Sequence, residues 1–158
     1  MVGEGDSGGA RDGNVELTYP SGSTYKGQMR AGQKHGSGLH VYAQGGSYEG
    51  EFREDKRHGK GTYKYADGGV FNGLFRNGRR DGFGVYEYAD GSRYEGDWVH
   101  DKMEGHGRYY YCNTRNFYDG PWLNDAPHGK GTITEEGKTR DVQHEKGVLV
   151  YQRVAATT

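Results

Sequence analysis

The chain repeats itself every 23 residues, and this period constrains its fold more than any other feature. Each unit begins with an aromatic residue, then any residue, then glycine, and a second aromatic residue or Met follows two positions later. The units are 25–47, 48–70, 71–93, 94–117 and 118–137, and the fourth has one extra residue. A unit this short cannot bury its apolar face alone, so the sequence predicts a stacked array of five repeats.

Weaker copies of the unit flank the array. Residues 11–13 lie one period before the similar residues 34–36, so we interpret 11–24 as an N-terminal half repeat that forms a cap. We interpret 138–158 as a degenerate repeat followed by a C-terminal cap or tail, because atypical end units cover the exposed faces of a stacked array. Residues 1–10 are predicted to be disordered.

Each unit has the pattern of two β-strands joined by tight turns. Asn77-Gly78 marks a turn within a unit, and Asp67-Gly68 and Asp90-Gly91 mark turns between units. These dipeptides tolerate the positive φ that short hairpin turns require, and no helical period lies between them. The sequence therefore predicts an all-β meander of tandem hairpins.

The alternation of side chains predicts two different faces for this sheet. Tyr48, Gly50 and Phe52 share one face in a first strand, and Gly61 and Tyr63 share it in the second. A ring that lies across a glycine of the neighbouring strand meets no Cβ, which explains why glycine is placed inside strands. We therefore expect one face of aromatic residues and glycine and an opposite face that is mostly charged.

The composition agrees with an aromatic core and limits the partners. The chain has 14 Tyr, 5 Phe, 2 Trp and 30 Gly among 158 residues, and its formal net charge is -1. This balanced charge gives no electrostatic reason to expect nucleic acid as a partner. A single cysteine, Cys112, and the lack of a leader favour a cytoplasmic location. No apolar run reaches the roughly 20 residues that span a bilayer, so we expect membrane contact to be peripheral at most.

Residue types typical of active sites are present, but their spacing argues against catalysis. His35, His58 and His128 belong to different repeats. Successive repeats stand about 10 Å apart, whereas metal ligands must all lie about 2.0 Å from one ion. Residues 59–62 lack the GK[ST] tripeptide and the helix of a phosphate-binding loop. We therefore expect no catalytic residue, no cofactor and no metal.

The segments YEGEF, HGKGTY, RRDGFG and YADGSRYEGDW resemble the MORN repeat, named for membrane occupation and recognition nexus. The resemblance covers about residues 11–151. It implies an elongated, twisted single-layer antiparallel sheet with a scaffold role. In several members of the family an aromatic groove takes a partner helix or another copy of the array, so the resemblance implies these occupants here.

Residues 92–113, SRYEGDWVHDKMEGHGRYYYCN, resemble more closely the MORN proteins of the ciliary radial spoke head. This second resemblance implies a cytoskeletal location in the axoneme of a cilium or flagellum.

Two departures from the repeat pattern affect the last unit. The extra residue before Tyr118 and the short turn Glu136-Gly137 are expected to shift its register. Pro121 stands where the second and fourth units have the acidic residues Glu51 and Asp97, and proline suits an edge strand. We therefore expect recognition along the groove to be disturbed beyond Trp122.

The candidate binding groove follows from the aromatic face. A single-layer sheet cannot cover this face completely, and exposed contiguous apolar surface marks interaction sites. An amphipathic helix is the expected occupant, and self-association is a second possibility. The candidate residues are the aromatic side chains Tyr42, Tyr48, Phe52, Tyr63, Tyr65, Phe71, Phe75, Tyr86, Tyr88, Tyr94, Trp98, Tyr109, Tyr111, Tyr118 and Trp122.

The leading hypothesis is a non-enzymatic scaffold or adaptor that binds protein partners in the ciliary axoneme. One alternative is a peripheral membrane protein that associates with phosphoinositides, as the family name and basic pairs such as Arg79-Arg80 suggest. A second alternative is a regulatory repeat module of an enzyme complex.

Overall fold

The computed structural model describes residues 11–153, which form a single antiparallel β-sheet of 14 strands. The described part of the chain contains no helix. The predicted all-β sheet of tandem hairpins is therefore confirmed, whereas the predicted disorder of residues 1–10 lies outside the described residues. The strands are β1 (Gly13–Thr18), β2 (Thr24–Arg30), β3 (Gln33–Val41), β4 (Ser47–Arg53), β5 (Lys56–Lys64), β6 (Val70–Arg76), β7 (Arg79–Glu87), β8 (Arg93–Val99), β9 (Lys102–Tyr110), β10 (Phe117–Leu123), β11 (Ala126–Pro127), β12 (Gly129–Glu135), β13 (Lys138–Glu145) and β14 (Val148–Gln152).

The order of the strands in the sheet is their order in the chain. Each strand pairs with the strands before and after it, and the short β11 pairs with β10 beside β12. Among residues 11–153 no connection crosses over, so β1 and β14 form the two edges of the described sheet. Contacts between strands therefore join only neighbouring segments of the sequence.

Two kinds of turn alternate along the array. Within a repeat, two residues with positive φ join the strands, for example Asn77 at 50° and Gly78 at 85°. Two successive positive φ values are typical of a type I′ turn, whose twist matches that of a hairpin. The turns between repeats have three residues, and the last of the three is a glycine in the left-handed region, as at Gly68 with φ 96°. The N–H of Gly68 donates to the carbonyl of Tyr65 at 3.1 Å.

A hydrogen bond links the turn of each repeat to the strand of the repeat before it. The backbone N–H of the second turn residue donates to a carbonyl that lies 20 to 22 positions earlier, at 2.9 to 3.2 Å. We call these contacts the turn links. They join Gly32 to Arg11, Asp55 to Lys34, Gly78 to Arg57, Asp101 to Arg80, Asp125 to Met103 and Gly147 to Pro127.

The extra residue of the fourth repeat does not shift the register of the fifth. Tyr118 pairs with Tyr109 as Tyr94 pairs with Tyr86 in the repeat before. The longer turn at 111–116 absorbs the insertion, and the N–H of Tyr111 bonds to the carbonyl of Asn116 at 3.1 Å. The predicted register shift is therefore wrong.

Pro121 lies in an interior strand rather than at an edge. Its strand, β10, has β9 on one side and both β11 and β12 on the other. His128 separates β11 from β12, so Pro121 faces an interruption of the hydrogen-bond ladder. A missing N–H is tolerated at such a place. The carbonyl of Pro121 still accepts the N–H of His128 at 2.9 Å.

The core consists of rings that lie across pairs of glycines. In the second repeat the ring of Tyr48 covers Gly50 and Gly61, which face each other on β4 and β5. A Cβ added at Gly61 would stand 2.5 Å from Cε2 of Tyr48, so only glycine leaves room for the ring. The same arrangement recurs at Tyr25, Phe71, Tyr94 and Tyr118, all of which are almost completely buried.

Candidate protein-binding groove

The candidate groove residues form two layers on the aromatic face, which we call the groove face. The deeper layer has exposed fractions between 0% and 7%. These floor rings are Tyr48, Phe52, Phe71, Phe75, Tyr94, Trp98, Tyr118 and Trp122. They stack edge to face, as Phe71 does against Trp98 with centroids 5.3 Å apart. The floor rings therefore hold neighbouring repeats together and leave almost no surface for a partner.

The upper layer is a row of tyrosines that remains accessible. These rim tyrosines are Tyr42, Tyr63, Tyr65, Tyr86, Tyr88, Tyr109 and Tyr111. Six of them are half-buried, and Tyr111 is 42% exposed. Successive rings stand with centroids 4.4 to 6.0 Å apart from Tyr42 to Tyr111. The row is thus continuous over four repeats.

Most rim hydroxyls keep their protons well above neutral pH. Burial raises the pKa of Tyr88 to about 12, and it raises the pKa of Tyr42, Tyr65 and Tyr86 as well. A protonated phenol can both donate and accept a hydrogen bond. The row therefore combines apolar ring surface with neutral polar tips.

Three cationic side chains also lie on the groove face, and the sequence analysis missed them. They are Lys34, Arg57 and Arg80, which stand one 23-residue period apart. The Cζ atom of Arg57 is 4.9 Å from the ring centroid of Tyr63, and that of Arg80 is 4.2 Å from the centroid of Trp98. Such distances are typical of cation–π contacts. The 23-residue period is the sequence signal that could have predicted these cations, because the same position carries a cation in three successive units.

A model of the MORN repeat matches the chain at residues 25–47, 48–70, 71–93, 94–114 and 118–134. The chain belongs to the MORN-repeat family. MORN repeats mediate interactions with proteins or membrane lipids, so the chain is a repeat protein of a binding type. No curated protein matches the chain in a sequence comparison.

The opposite face of the MORN array is less uniformly charged than its sequence predicts. Ion pairs do cover its C-terminal half, for example Arg93 with Glu95 and Arg108 with Asp119. In the third repeat, however, Phe83 is 53% exposed. Here an open concavity of about 670 Å³ is lined by the apolar side chains Val70, Leu74, Phe83 and Val85 and by Lys60, Glu87 and Arg93.

A single repeat position explains part of this difference. Gln28, Glu51 and Asp97 stand at equivalent positions, and each side chain accepts a backbone N–H of the neighbouring strand at 2.9 to 3.1 Å. The third repeat has Leu74 there. Leucine cannot accept a hydrogen bond, and it contributes apolar surface instead. The opposite face therefore loses a polar contact and gains an apolar side chain in the same repeat.

The histidines that were weighed as metal ligands lie far from one another in the MORN array. His35, His58 and His128 lie on β3, on β5 and in the break before β12. Among residues 11–153, no three His, Cys, Asp or Glu side chains cluster closely enough to hold a metal ion. Cys112 is exposed and unpaired in this part of the chain. The described segment also contains no apolar helix of membrane-spanning length.

Proposed function

We propose that this MORN protein is a non-enzymatic scaffold or adaptor that binds a protein segment along its groove face. The observation that carries the proposal is the continuous, partly exposed row of rim tyrosines. Tyrosine is enriched among the residues that anchor protein interfaces, because it offers a large rigid surface and a polar tip. The floor rings beneath the row support it, since they are fixed by packing.

An amphipathic helix fits this row in both length and period. Two strands per repeat advance the sheet by about 10 Å. A helix rises 1.5 Å per residue, so about seven of its residues pass each repeat. Seven residues are two helical turns, so a helix with apolar residues at heptad spacing presents an equivalent face to every repeat.

The binding site is testable with helical peptides and two matched double variants. We expect peptides selected from a randomised helical display library on the wild-type protein to lose at least about tenfold in affinity on Tyr65→Ser with Tyr88→Ser, because both ring contacts are removed. Glu49→Lys with Glu87→Lys changes only the opposite face and should alter affinity less than about twofold. Titration calorimetry measures both, and thermal melting establishes that each variant is folded.

Equal losses in the two double variants would contradict the groove assignment. A larger loss in the charge variant would place the binding surface on the opposite face instead.

We further propose that the scaffold is built into the axoneme of a cilium or flagellum. The support is the resemblance of residues 92–113 to the MORN proteins of the radial spoke head. The proposal predicts that the tagged protein stays with axonemes when a ciliated cell is extracted with non-ionic detergent. Complete release into the detergent fraction would refute the axonemal location and leave the scaffold role standing. Recovery with anionic liposomes at physiological salt would favour the membrane alternative.

A further inference from the structure

Aspartates reinforce three of the turn links. In these links the carboxylate of the turn residue also accepts a backbone N–H of the earlier repeat at 2.9 Å. The pairs are Asp55 with Lys34, Asp101 with Arg80, and Asp125 with Met103. The equivalent turn of the third repeat has Gly78, so the link to Arg57 has no carboxylate.

This difference leaves the three groove cations in different electrostatic states. The Nε atom of Arg80 lies 3.2 Å from Oδ1 of Asp101, so this cation is paired. For Lys34, burial lowers the pKa, and the nearby charge of Asp55 partly offsets this by raising it. Arg57 has no carboxylate within 4.0 Å among the residues of the described chain. Lys34 also has no carboxylate within 4.0 Å in this part of the chain, but Asp55 at its turn link partly offsets its charge. Arg57, the central cation of the groove, has no carboxylate at its turn link.

The guanidinium of Arg57 is held in place but retains free donors. Its Cζ atom stands 4.9 Å from the ring centroid of Tyr63 and 5.3 Å from that of Phe75. Nη2 donates to the carbonyl of Gly78 at 2.5 Å. Nε and Nη1 make no hydrogen bond to residues 11–153, and neither is sealed from solvent. A partly desolvated cation with unused donors binds an anion strongly, because charge-assisted hydrogen bonds gain strength away from water.

We propose that Arg57 is the anion-binding position of the groove and that it takes the carboxylate of an acidic side chain on the bound protein segment. This inference rests on the proposed function and specifies the chemistry of its partner. An aspartate or glutamate supplied by the partner fills the role that Asp101 fills for Arg80 one repeat later.

A protein carboxylate fits this position better than a lipid phosphate. Anionic membranes are bound by clusters of four to eight basic residues. On the groove face of residues 11–153 Arg80 is paired with Asp101, and Asp55 partly offsets the charge of Lys34, so at most two free cations remain, which is fewer than such a cluster needs. The rings around Arg57 match the apolar residues that flank a lone acidic residue in an amphipathic helix. Because about seven helical residues pass each repeat, the apolar anchors on either side should lie about one heptad from the acidic residue.

The repeats themselves supply the test variant, Gly78→Asp, which gives the third repeat the turn residue of its neighbours. Gly78 has φ 85°, and the aspartates Asp55 and Asp101 occupy the same place at 64° and 72°. Aspartate is therefore compatible with this backbone. Its carboxylate should pair with Arg57 inside the protein and compete with the partner. Arg57→Met is the second variant, because Met103 is the natural occupant of the position in the fourth repeat.

The probes are helical peptides selected from the randomised library on wild-type protein, each then made with Glu or Gln at its acidic position. We expect Glu→Gln in the peptide to weaken binding to the wild type about tenfold. The same exchange should change binding to Gly78→Asp or to Arg57→Met less than about twofold. Asp101→Gly is the matched control, because it removes a turn carboxylate elsewhere and should leave the tenfold preference intact.

Four results would overturn the proposal, and the last of them also rejects the proposed function. Equal binding of the Glu and Gln peptides to the wild type excludes a carboxylate site. An undiminished preference on both Gly78→Asp and Arg57→Met places the site elsewhere. Binding of phosphoinositide vesicles that depends on Arg57, without a Glu preference among peptides, identifies a lipid phosphate as the ligand. If no selected peptide depends on the rim tyrosines, the groove function fails together with this inference.

Discussion

At the scale of single residues, the floor rings show how one hydroxyl contributes to the fold. Tyr25, Tyr48, Tyr94 and Tyr118 each donate their hydroxyl to the backbone carbonyl three positions later, at 2.7 to 3.1 Å. Phe71 occupies the same place in the third repeat without a hydroxyl. The chain therefore contains a natural comparison between a ring that packs and bonds and a ring that only packs.

This comparison predicts opposite effects for two reciprocal changes. Tyr48→Phe removes the bond to the carbonyl of Glu51 and should lower the free energy of unfolding by about 1 kcal/mol. Phe71→Tyr places a hydroxyl near the carbonyl of Leu74 and should raise it by a similar amount. Chemical denaturation of the three proteins measures both changes. A loss of stability in Phe71→Tyr would mean that the third repeat has no room for the hydroxyl.

The residue pattern predicted which side chains share the groove face but not how deeply each one lies. Period-two alternation places Tyr48 and Tyr63 on one face, as the sheet has them. Tyr48 is 0% exposed because neighbouring rings and the side chain of Arg57 cover it. Such cover depends on the contacts between repeats, which alternation within a strand does not describe. The alternation of residues therefore does not separate floor rings from rim tyrosines, and it does not predict that the cations lie over the rings.

At the scale of strands and turns, the turn dipeptides predicted the hairpins correctly, whereas the length of the fourth repeat did not predict the register of the fifth. Asn-Gly and Asp-Gly dipeptides marked the turns, because few other pairs adopt positive φ at low cost. The extra residue of the fourth repeat does not shift the register as predicted, because a longer turn absorbs it. A register slip would move Tyr118 and Trp122 to the opposite face, and that loss of buried area outweighs the distortion of a surface turn. Pro121 also lies inside the sheet, because the partner strand is interrupted beside it.

The opposite face of the third repeat could have been recognised as unusual from its sequence. Leu74 stands where three other repeats have a glutamine or a carboxylate. Comparison of repeats position by position exposes such departures, whereas averaging them into one pattern hides them. The same comparison shows that Gly78 occupies the turn position where the neighbouring repeats have Asp55 and Asp101, and the proposal for Arg57 rests on this difference.

At the scale of the whole molecule, the sheet behaves as a one-dimensional stack in which each repeat touches only its neighbours. Stability is then approximately a sum of repeat terms and neighbour terms. Every turn link joins consecutive repeats, and the floor ring contacts lie either within one repeat or between consecutive repeats. Removal of a complete period therefore leaves each remaining repeat with an equivalent neighbour.

We predict that deletion of residues 51–73, which is one period of 23 residues, gives a folded protein. The deletion joins Gly50 to Leu74 and keeps Phe75 on the groove face. It should unfold in one transition, with a denaturant m-value reduced roughly in proportion to the chain removed. Deletion of residues 51–72 is the control, because the single residue left over lies inside a strand and turns Phe75 to the opposite face. Circular dichroism and urea titration distinguish the outcomes, and equal stability of the two deletions would contradict the stacked description.

The order of the strands also decides how the molecule responds to a pulling force. β1 and β14 are the two outer edges of the sheet, so a load applied between the described ends of the chain acts across the strands and along the hydrogen bonds. Bonds loaded in this direction break one after another, and hairpins peel from an edge instead of resisting together in shear. A tether attached through the ends would therefore be mechanically weak. Tension delivered through a partner that lies along the groove is instead shared by many repeats at once, so this molecule bears load best through its face.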